Sequence, residues 1–294
     1  MAQLHQRRSQ NVSGEFYVDT SCIDCDTCRW VAPTVFNRQD GQSAVYQQPQ
    51  TEKERLQALE ALLSCPTSSI GTLTLTDAIR EAQSRFPRPV THQVFHCGYH
   101  SERSYGAASY LILRPDGNVL VDSPRFALPL VRRIERMGGV RYLYLTHRDD
   151  VADHQQYRDH FGCDRILHEA DLTPDTASVE IKLTGTAEYD LAPDLKIIPV
   201  PGHTEGHTVL LYDHPDQRVL FSGDHLALSP YLLHLYAFRR HCWHSWTAQM
   251  ASVERLKDYD FDWVLPGHGR GFHGDRSTMA QQLDKCLDWM RTVA

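Results

Sequence analysis

A cysteine cluster near the start of the chain is the strongest constraint on how the chain can fold. Cys22, Cys25 and Cys28 are each separated by two residues, and Cys65 follows at a distance, directly before Pro66. Three thiolates on one tight loop and a fourth from elsewhere can surround a cubane cluster, and the short spacing lets backbone amides donate to its sulfides. We therefore predict one 4Fe–4S cluster held by these four cysteines. Zinc is the alternative, although a closed four-thiolate zinc site usually uses two C-x2-C pairs.

The position after the three-cysteine loop limits the number of clusters. In the bacterial pattern C-x2-C-x2-C-x3-C-P, the fourth cysteine ligates the other cluster of a two-cluster protein. Here that position is Ala32, directly before Pro33. We therefore expect a single cluster. With this pattern, residues 15–75 resemble a single-cluster bacterial-type ferredoxin, and the role of the cluster in the chain is redox, regulatory or structural.

Composition excludes several classes of protein. The chain has 37 acidic and 30 basic residues and a net charge of −7, whereas nucleic-acid-binding proteins usually carry a basic stripe. No apolar stretch approaches the roughly 18 residues of a membrane-spanning helix, and the N-terminus lacks the apolar segment of a secretory signal. We therefore expect a soluble, cytoplasmic protein that acts on a small-molecule substrate, without a nucleic acid or membrane partner.

The length predicts about two domains. We expect an N-terminal tail at 1–14, a ferredoxin-like domain at 15–75, a linker helix at 76–92 and a larger domain at 93–294. Within the first domain, Thr51 and Glu54 form a capping-box pattern at the start of a helix over 51–63. After residue 93, short apolar runs alternate with amphipathic helices, including one over 126–137. The fold class is therefore α/β (α+β), with layered strands and helices.

Short histidine and aspartate motifs punctuate the second domain, and most of them follow an apolar strand directly. Strand ends in α/β layers are where a rigid scaffold meets an open cleft, so side chains placed there converge. Histidines and carboxylates that converge in this way predict a two-metal site, in which Asp224 bridges two divalent ions and a shared water is deprotonated. The motifs are Val121-Asp122-Ser123, Thr146–His154, Pro201–His207, Ser222–His225 and Pro266–Gly269.

These motifs give residues 93–294 a resemblance to the metallo-β-lactamase fold, an αββα sandwich, and especially to its glyoxalase II-like members. The family pattern is H-x-H-x-D-H, then G-H-T-x-G-H, then G-D, then a late histidine. The resemblance implies that Asp224 bridges the ions and that Asp153 also holds the attacking water as a catalytic residue. It implies that metal one is held by His147, Asp149 and His203, and metal two by Asp153, His154 and His268.

Three further motif residues are implied to support the site rather than to bind metal. Asp122 matches the family's structural aspartate behind the site, and His207 and His225 match positions that are usually not ligands. The aromatic residues after His234 are not assigned to the site, because aromatic stripes more often belong to packing.

The first motif departs from the family pattern. Asp149 stands where the family has its second histidine, and two extra residues precede Asp153 and His154. The register is therefore open, and Asp150 is an alternative ligand to Asp149. A carboxylate in place of an imidazole is a harder donor, which moves the metal preference from zinc towards iron or manganese. Flavo-diiron oxidoreductases of this fold share a carboxylate in the corresponding motif.

Three functions are compatible with this sequence. The first is a binuclear-metal hydrolase with a fused 4Fe–4S domain, which cleaves an ester- or thioester-type bond through a metal-bound hydroxide. The second is a diiron redox enzyme that receives electrons from the fused cluster and so needs an electron-donor protein as a partner. The third is a non-catalytic electron-transfer or sensing module. The identity of the two divalent ions, zinc, iron or manganese, separates the first two functions.

Overall fold

The computed structural model describes residues 2–74 and 77–294 and divides into two compact units. The first unit contains the described residues up to Arg141 together with Ala152–Cys163, and the second contains Tyr142–Val151 together with Asp164–Ala294. The domain limits 15–75, 76–92 and 93–294 stay predictions, and the limit between residues 75 and 76 lies outside the described residues.

The first unit contains eight strands and five α-helices. The strands are β1 (Phe16–Val18), β2 (Phe36–Gln39), β3 (Gln42–Val45), β4 (Ile70–Thr72), β5 (Arg88–Thr91), β6 (Val94–His96), β7 (Tyr110–Ile112) and β8 (Val119–Val121). The helices are α1 (Thr27–Val31), α2 (Glu52–Ser64), α3 (Ala78–Ser84), α4 (Leu128–Arg136) and α5 (His154–Phe161).

Antiparallel pairing of β1 with β4 brings the cysteine segments together. Val18 lies opposite Ile70, so the loop that begins after β1 and the turn that precedes β4 lie at the same end of the strand pair. Helix α2 leads into that turn, and its first turn carries the predicted capping box. The Glu54 N–H donates to Thr51 Oγ1 at 3.2 Å, and the Thr51 N–H donates to the Glu54 carboxylate at 3.1 Å. The predicted cap is therefore confirmed.

The predicted linker helix is shorter than its pattern indicated. Helix α3 ends at Ser84, and Arg88–Thr91 forms strand β5 instead. A proline has no N–H and disfavours helical backbone in the residue before it, so Pro87 and Pro89 stop the helix. Pro89 is tolerated in β5 because this strand pairs with β6 alone among the four antiparallel strands β5, β6, β7 and β8 of the first unit.

The second unit contains eleven strands and two α-helices. The strands are β9 (Tyr142–Tyr144), β10 (Asp164–His168), β11 (Ile181–Leu183), β12 (Tyr189–Ala192), β13 (Leu195–Pro199), β14 (Thr208–His214), β15 (Gln217–Gly223), β16 (Ala227–Leu228), β17 (Leu235–Tyr236), β18 (Trp263–Pro266) and β19 (Phe272–His273). The helices are α6 (Trp246–Arg255) and α7 (Arg276–Thr292).

A mixed sheet organises the second unit. Its strands run in the order β12-β13-β14-β15-β18-β19, with β15 and β18 parallel and the other pairs antiparallel. Side chains of this sheet, such as Val209 and Leu220, share one hydrophobic cluster with Val253 of α6 and Leu283 of α7. Strands β9, β10 and β11 form a parallel ladder in the same unit. The mixed α/β class predicted from the sequence is confirmed.

One hydrogen-bonded corner connects β9 with the six-stranded sheet. The Thr208 N–H donates to the Thr146 carbonyl at 2.9 Å, and the Tyr144 hydroxyl lies 2.7 Å from Thr208 Oγ1. All three residues are buried. The segment that follows β9 is therefore fixed beside the loop that precedes β14, and both carry predicted metal ligands.

Among the described residues, no helix combines the length and the apolar character that crossing a bilayer requires.

The ion pair between buried Arg165 and Glu180 offers a test of the second unit. Arg165 in β10 is 2% exposed and donates to both carboxylate oxygens of Glu180 at 3.0 Å. Glu180 itself is more exposed, and removing it leaves the charge of the buried Arg165 guanidinium uncompensated. We expect Glu180→Ala to lower the free energy of unfolding by about 3 kcal/mol, measured by denaturant titration. The control Asp213→Ala removes the exposed partner of Arg218 and is expected to cost less than about 1 kcal/mol; equal losses would contradict the prediction.

Candidate metal centres

Four cysteine thiols line one cavity in the first unit. Cys22 and Cys25 come from the loop after β1, Cys28 from α1, and Cys65 from the turn after α2. All four are free thiols. Ser69 donates its backbone N–H to Cys65 Sγ at 3.3 Å. The structure thus brings together all four residues that the sequence predicts as cluster ligands.

Burial makes this cavity unfavourable for four uncompensated thiolates. Burial raises the pKa of Cys25 to about 11, and it also raises the pKa values of Cys28 and Cys65. Neighbouring cysteines of the set raise these pKa values further, because like charges repel. A cationic group inside the cavity reverses both effects. The donor set therefore fits a group held by four thiolates, such as an iron–sulfur cluster.

The second site is built from the ends of strands in the second unit. His147 follows β9, His203 lies in the loop after β13, Asp224 follows β15 directly, and His268 follows β18. His147 and His203 are buried, and Asp224 is 8% exposed. Because strands hold their ends rigidly, these side chains meet without help from a flexible loop.

The imidazoles and carboxylates approach one another closely. His147 Nε2 lies 3.8 Å from Asp149 Oδ2 and 4.0 Å from Asp224 Oδ2. His203 Nε2 lies 3.4 Å from Asp149 Oδ2 and 3.8 Å from Asp224 Oδ2. His268 Nδ1 lies 2.8 Å and 2.9 Å from the two oxygens of Asp224. Asp224 is therefore central to the site, and its role as the bridging residue stays a prediction.

Two sets of three donors have the spacing of metal ligands. One consists of His147, Asp149 and His203, and the other of His147, Asp150 and Asp224. In each set the donor atoms lie within 4.8 Å of one another. The sequence left Asp149 and Asp150 as alternatives, and the structure places both beside His147, in different sets.

Unsatisfied ring nitrogens also fit a metal here. His147 Nδ1 bonds Thr146 Oγ1 at 2.9 Å, which directs Nε2 into the site. Within the part of the chain that the structure describes, His147 Nε2 and both ring nitrogens of His203 are buried and have no hydrogen-bond partner. Buried polar atoms without partners are costly, and coordination satisfies them. The residues present therefore fit divalent ions.

Electrostatics also favours a cation in this site. Burial and the neighbouring His203 lower the pKa of His147 to about 4, so its imidazole is neutral. Burial alone would raise the pKa of Asp224, but His268, His147 and His203 outweigh it and hold that pKa well below its usual range. Burial likewise opposes ionisation of Asp149, and the nearby His203 and His147 imidazoles overcome it, so the net pKa is lowered. Neutral imidazoles beside ionised carboxylates are the protonation states that metal binding requires.

Two segments of the chain match known families. Residues 18–72 match the family model of the 4Fe-4S single cluster domain of Ferredoxin I, and residues 137–268 match that of the metallo-beta-lactamase superfamily. The chain joins a single-cluster ferredoxin domain to a metallo-β-lactamase fold. Both resemblances predicted from the sequence are confirmed.

Solved structures support the metallo-β-lactamase fold. The DIM-1 metallo-β-lactamase, in a crystal exposed to ceftazidime, is 19% identical to this chain with a TM-score of 0.55, and the match covers 70% of this chain and 96% of that one. VMB-1 is 16% identical with a TM-score of 0.54 and the same shares of coverage. At this identity the likeness shows the fold. No curated protein sequence is significantly similar to this chain.

Two predicted ligands, Asp153 and His154, belong to the first unit rather than to the one that holds the two donor sets. His154 is buried and begins α5. Asp153 Oδ2 accepts the Phe126 N–H at 2.8 Å, and Oδ1 lies 3.5 Å from the Arg103 guanidinium. Neither residue is a member of the two donor sets found among the described residues. The assignment of metal two to Asp153, His154 and His268 stays a prediction.

The predicted supporting residues are all buried. Asp122 follows β8 with a left-handed backbone at φ 55°. The His207 ring lies 4.7 Å from the His147 ring. His225 Nδ1 accepts a hydrogen bond from Gln249 Nε2 at 3.1 Å. Their supporting role stays a prediction.

Sequence reasoning missed Asp171, which connects the two ligand-bearing loops. This aspartate is fully buried after β10, in a short 3-10 helix over Glu169–Asp171. It accepts hydrogen bonds from the Arg148 N–H at 3.0 Å, Thr204 Oγ1 at 2.6 Å and the Gly206 N–H at 2.8 Å. The three donors flank His147 and His203 in sequence. No local motif marks Asp171, and its position at the end of a strand was the available signal.

Trp243 was also left out of the predicted site. Its side chain is 56% exposed, and its indole N–H donates to Asp149 Oδ2 at 3.1 Å. Its backbone N–H donates to the His203 carbonyl at 2.8 Å. Trp243 therefore contacts two members of one donor set and orients the Asp149 carboxylate.

Asp171→Asn tests whether this aspartate holds the loops in place. The amide nitrogen would face a backbone N–H, so at least one hydrogen bond is lost. Because residues that orient ligands typically affect metal affinity by about 10- to 100-fold, we expect retention of divalent metal during dialysis to fall by about that factor. The control Glu169→Gln changes an exposed residue of the same short helix. Unchanged metal affinity in Asp171→Asn would contradict the prediction.

His225 gives an expectation for pH. Burial lowers the pKa of His225 to about 3, so below about pH 6.5 the unfolded chain binds a proton that the folded chain does not. This contribution to stability is complete above that pH and is lost as the pH falls towards 3, by about 1.4 kcal/mol per pH unit. Asn at this position keeps an acceptor for Gln249 and does not titrate. We therefore expect the chelator-treated His225→Asn variant to lose less unfolding free energy on acidification than the parent, whereas exposed His273→Asn follows the parent.

Proposed function

We propose that the chain is a binuclear-metal hydrolase of the metallo-β-lactamase fold with a fused 4Fe–4S ferredoxin domain. One observation carries this proposal: two sets of metal-ligand donors share His147. The imidazole of His147 can bind only one ion, whereas the Asp224 carboxylate in the second set has two oxygens that could serve two ions lying side by side. The family match over 137–268 supports a metal-dependent hydrolase.

The residues divide the work of such a site. Two divalent ions, when bound, would lower the pKa of water and polarise a substrate carbonyl. His147 and His203 would donate nitrogen lone pairs to these ions, and Asp149, Asp150 and Asp224 would provide carboxylate oxygens. A ligand set with this many carboxylates favours iron or manganese, whereas a site built from histidines alone would favour zinc.

Asp153 is the proposed catalytic residue, which holds the attacking water, and His154 and His268 are its proposed companions at metal two. The Phe126 N–H donates a hydrogen bond to Asp153 Oδ2 and so fixes the orientation of the carboxylate. Orientation by an outer hydrogen bond is typical of carboxylates that act on metals. The remaining oxygen has a long 3.5 Å contact with Arg103, whose side chain is 59% exposed.

We propose an ester or thioester of a small molecule as the substrate. Both offer a carbonyl that an attacking water converts to an oxyanion, which cationic groups stabilise. One structural relative above, DIM-1, is named as a metallo-β-lactamase, and its crystal was exposed to ceftazidime. A β-lactam therefore belongs in the assay panel as a comparison. The compartment proposed is the cytoplasm, without a nucleic acid or membrane partner.

A diiron redox enzyme is the second candidate. The observation that favours it is the cluster of three carboxylates in a chain that also carries a ferredoxin domain. Carboxylate-rich sites suit iron, and a fused cluster would deliver electrons from an electron-donor protein. A non-catalytic electron-transfer or sensing module is the third candidate.

Metal content and turnover, measured on one anaerobic preparation, test the proposal. We expect four irons and four sulfides for the cluster, two further divalent ions, and hydrolysis of a thioester or ester that does not change when the cluster is reduced. Cys65→Ser is expected to lose the cluster and keep hydrolysis, and Cys163→Ser is its control. If the protein hydrolyses none of the substrates and two irons beyond the cluster change oxidation state, the redox alternative is established. No metal beyond the cluster would overturn both catalytic functions.

Asp153→Asn tests the catalytic assignment within the same assay. The amide keeps the size of the side chain but removes the charge. We expect kcat to fall at least about 100-fold, the lower end of general acid–base contributions. Asp159→Asn changes an exposed aspartate of the same helix α5 and is expected to retain full activity. A fully active Asp153→Asn enzyme would exclude Asp153 from the reaction.

A further inference from the structure

Two buried histidines from outside the ferredoxin match are connected to a cluster cysteine. His96 is the last residue of β6, and His100 follows in the next loop; both are 1% exposed. His96 Nε2 lies 2.8 Å from His100 Nε2, and His100 Nδ1 lies 3.1 Å from Thr27 Oγ1. Thr27 Oγ1 in turn lies 3.4 Å from Cys25 Sγ. The contacts form a continuous chain that ends on the sulfur.

The surroundings determine which atoms donate along this chain. His100 Nδ1 lies 2.6 Å from the Gly106 carbonyl, which can only accept, so Nδ1 carries the proton. In a neutral imidazole the other nitrogen is then an acceptor. His100 Nε2 therefore accepts from His96 Nε2–H. The rings of Trp30, Phe86 and Tyr110 surround His96 at 5.0, 6.0 and 5.9 Å between centroids, and burial lowers its pKa well below the usual value.

This proton arrangement fixes the direction of the last step. His100 Nδ1–H points at Thr27 Oγ1 as well as at the Gly106 carbonyl, so the threonine oxygen accepts from the ring. A protonated Cys25 could donate to Thr27 Oγ1, but a cluster-binding thiolate can only accept, so the hydroxyl hydrogen of Thr27 is then the donor to Cys25 Sγ. If Nδ1 were instead unprotonated, the hydroxyl would donate to the ring, and the sulfur would lose its donor.

The loop after β6 also encloses Cys25. A Cβ atom at Gly106, where φ is +88°, would lie 2.9 Å from Cys25 Cβ and 3.2 Å from its Sγ. Only glycine allows this approach. The Tyr105 hydroxyl donates to the Ile23 carbonyl at 2.7 Å, which attaches the same loop to the cysteine loop. Water is therefore excluded from this side of Cys25, and a hydrogen bond there is stronger than in solvent.

We propose that Thr27 is a potential-tuning donor to the Cys25 thiolate, and that His100 is the positioning residue that directs it. This inference goes beyond the proposed function, because it concerns the cluster and holds for either reaction of the second site. A reduced cluster carries one more negative charge than the oxidised one. A donor to a ligand sulfur therefore stabilises the reduced state more and raises the reduction potential.

The midpoint potential of the cluster in the full-length holoprotein tests the role of Thr27. Dithionite supplies the electron in a mediated anaerobic titration followed by electron paramagnetic resonance. We expect Thr27→Val to lower the equilibrium constant for reduction about tenfold, which is about 59 mV for a one-electron couple. Thr27→Ser keeps the hydroxyl and is expected to stay near the parent value. Thr20→Val is the matched control, because Thr20 is an exposed threonine of the loop between β1 and α1.

Two variants test the positioning role of His100. Asn places an amide N–H where the ring has Nδ1–H, whereas Leu provides no donor. We expect His100→Leu to reproduce the lower potential of Thr27→Val, His100→Asn to restore most of it, and the double variant with Thr27→Val to add no further shift. Resonance Raman spectra should show the same iron–Cys25 stretching shift in His100→Leu and Thr27→Val.

Several outcomes would overturn the inference. These are an unchanged potential in Thr27→Val with the cluster fully loaded, equal shifts in Thr20→Val and Thr27→Val, or additive shifts in the double variant. Iron and sulfide analysis of the parent and of each variant separates these outcomes from failure of cluster binding. A parent protein without a cluster would contradict the assignment of the cofactor instead.

Discussion

Crowding of carboxylates around His147 is the constraint on which the second unit depends. Asp149 and Asp224 approach its Nε2 to 3.8 and 4.0 Å. A Cβ atom at Gly267 would lie 2.6 Å from Asp150 Oδ2 and 3.2 Å from Asp224 Oδ1, so these two carboxylates border the same backbone. Asp150 and Asp224 are buried, and buried charges of one sign are strongly unfavourable without a partner. The fold holds them at the ends of strands and leaves cations as the means of neutralising them.

Around this charged centre the fold provides hydrogen bonds that keep each ligand in place. Asp171 connects the loops of His147 and His203, and the Trp243 indole N–H donates to the Asp149 carboxylate. Such outer contacts fix the orientation of ligands and tune the metal. The Asp149 carboxylate is therefore held by a hydrogen bond from outside the donor set, donated by the Trp243 indole.

The ferredoxin segment is chemically connected to the residues that follow it. His100 and Gly106 lie outside the match to the ferredoxin family, yet they contact Thr27 and approach Cys25. The environment of the cluster is thus completed by later sequence. Under the proposals above, the fused chain sets the potential of the cluster, which suits electron delivery or sensing, and the proposed hydrolysis at the second site is a separate function.

The sequence alone determined the chemistry of both centres, because cysteine spacing and the motifs after strands are local patterns. The grouping of the four cysteines, the mixed α/β class and the capping box at Thr51 were predictable for that reason. Tertiary structure decided how these pieces meet. It placed Asp150 as well as Asp149 beside His147, ended α3 at Ser84, and revealed Asp171, Trp243 and the His96–His100 pair. Those contacts join residues far apart in sequence, and long-range packing leaves no local periodicity or spacing by which they could be recognised.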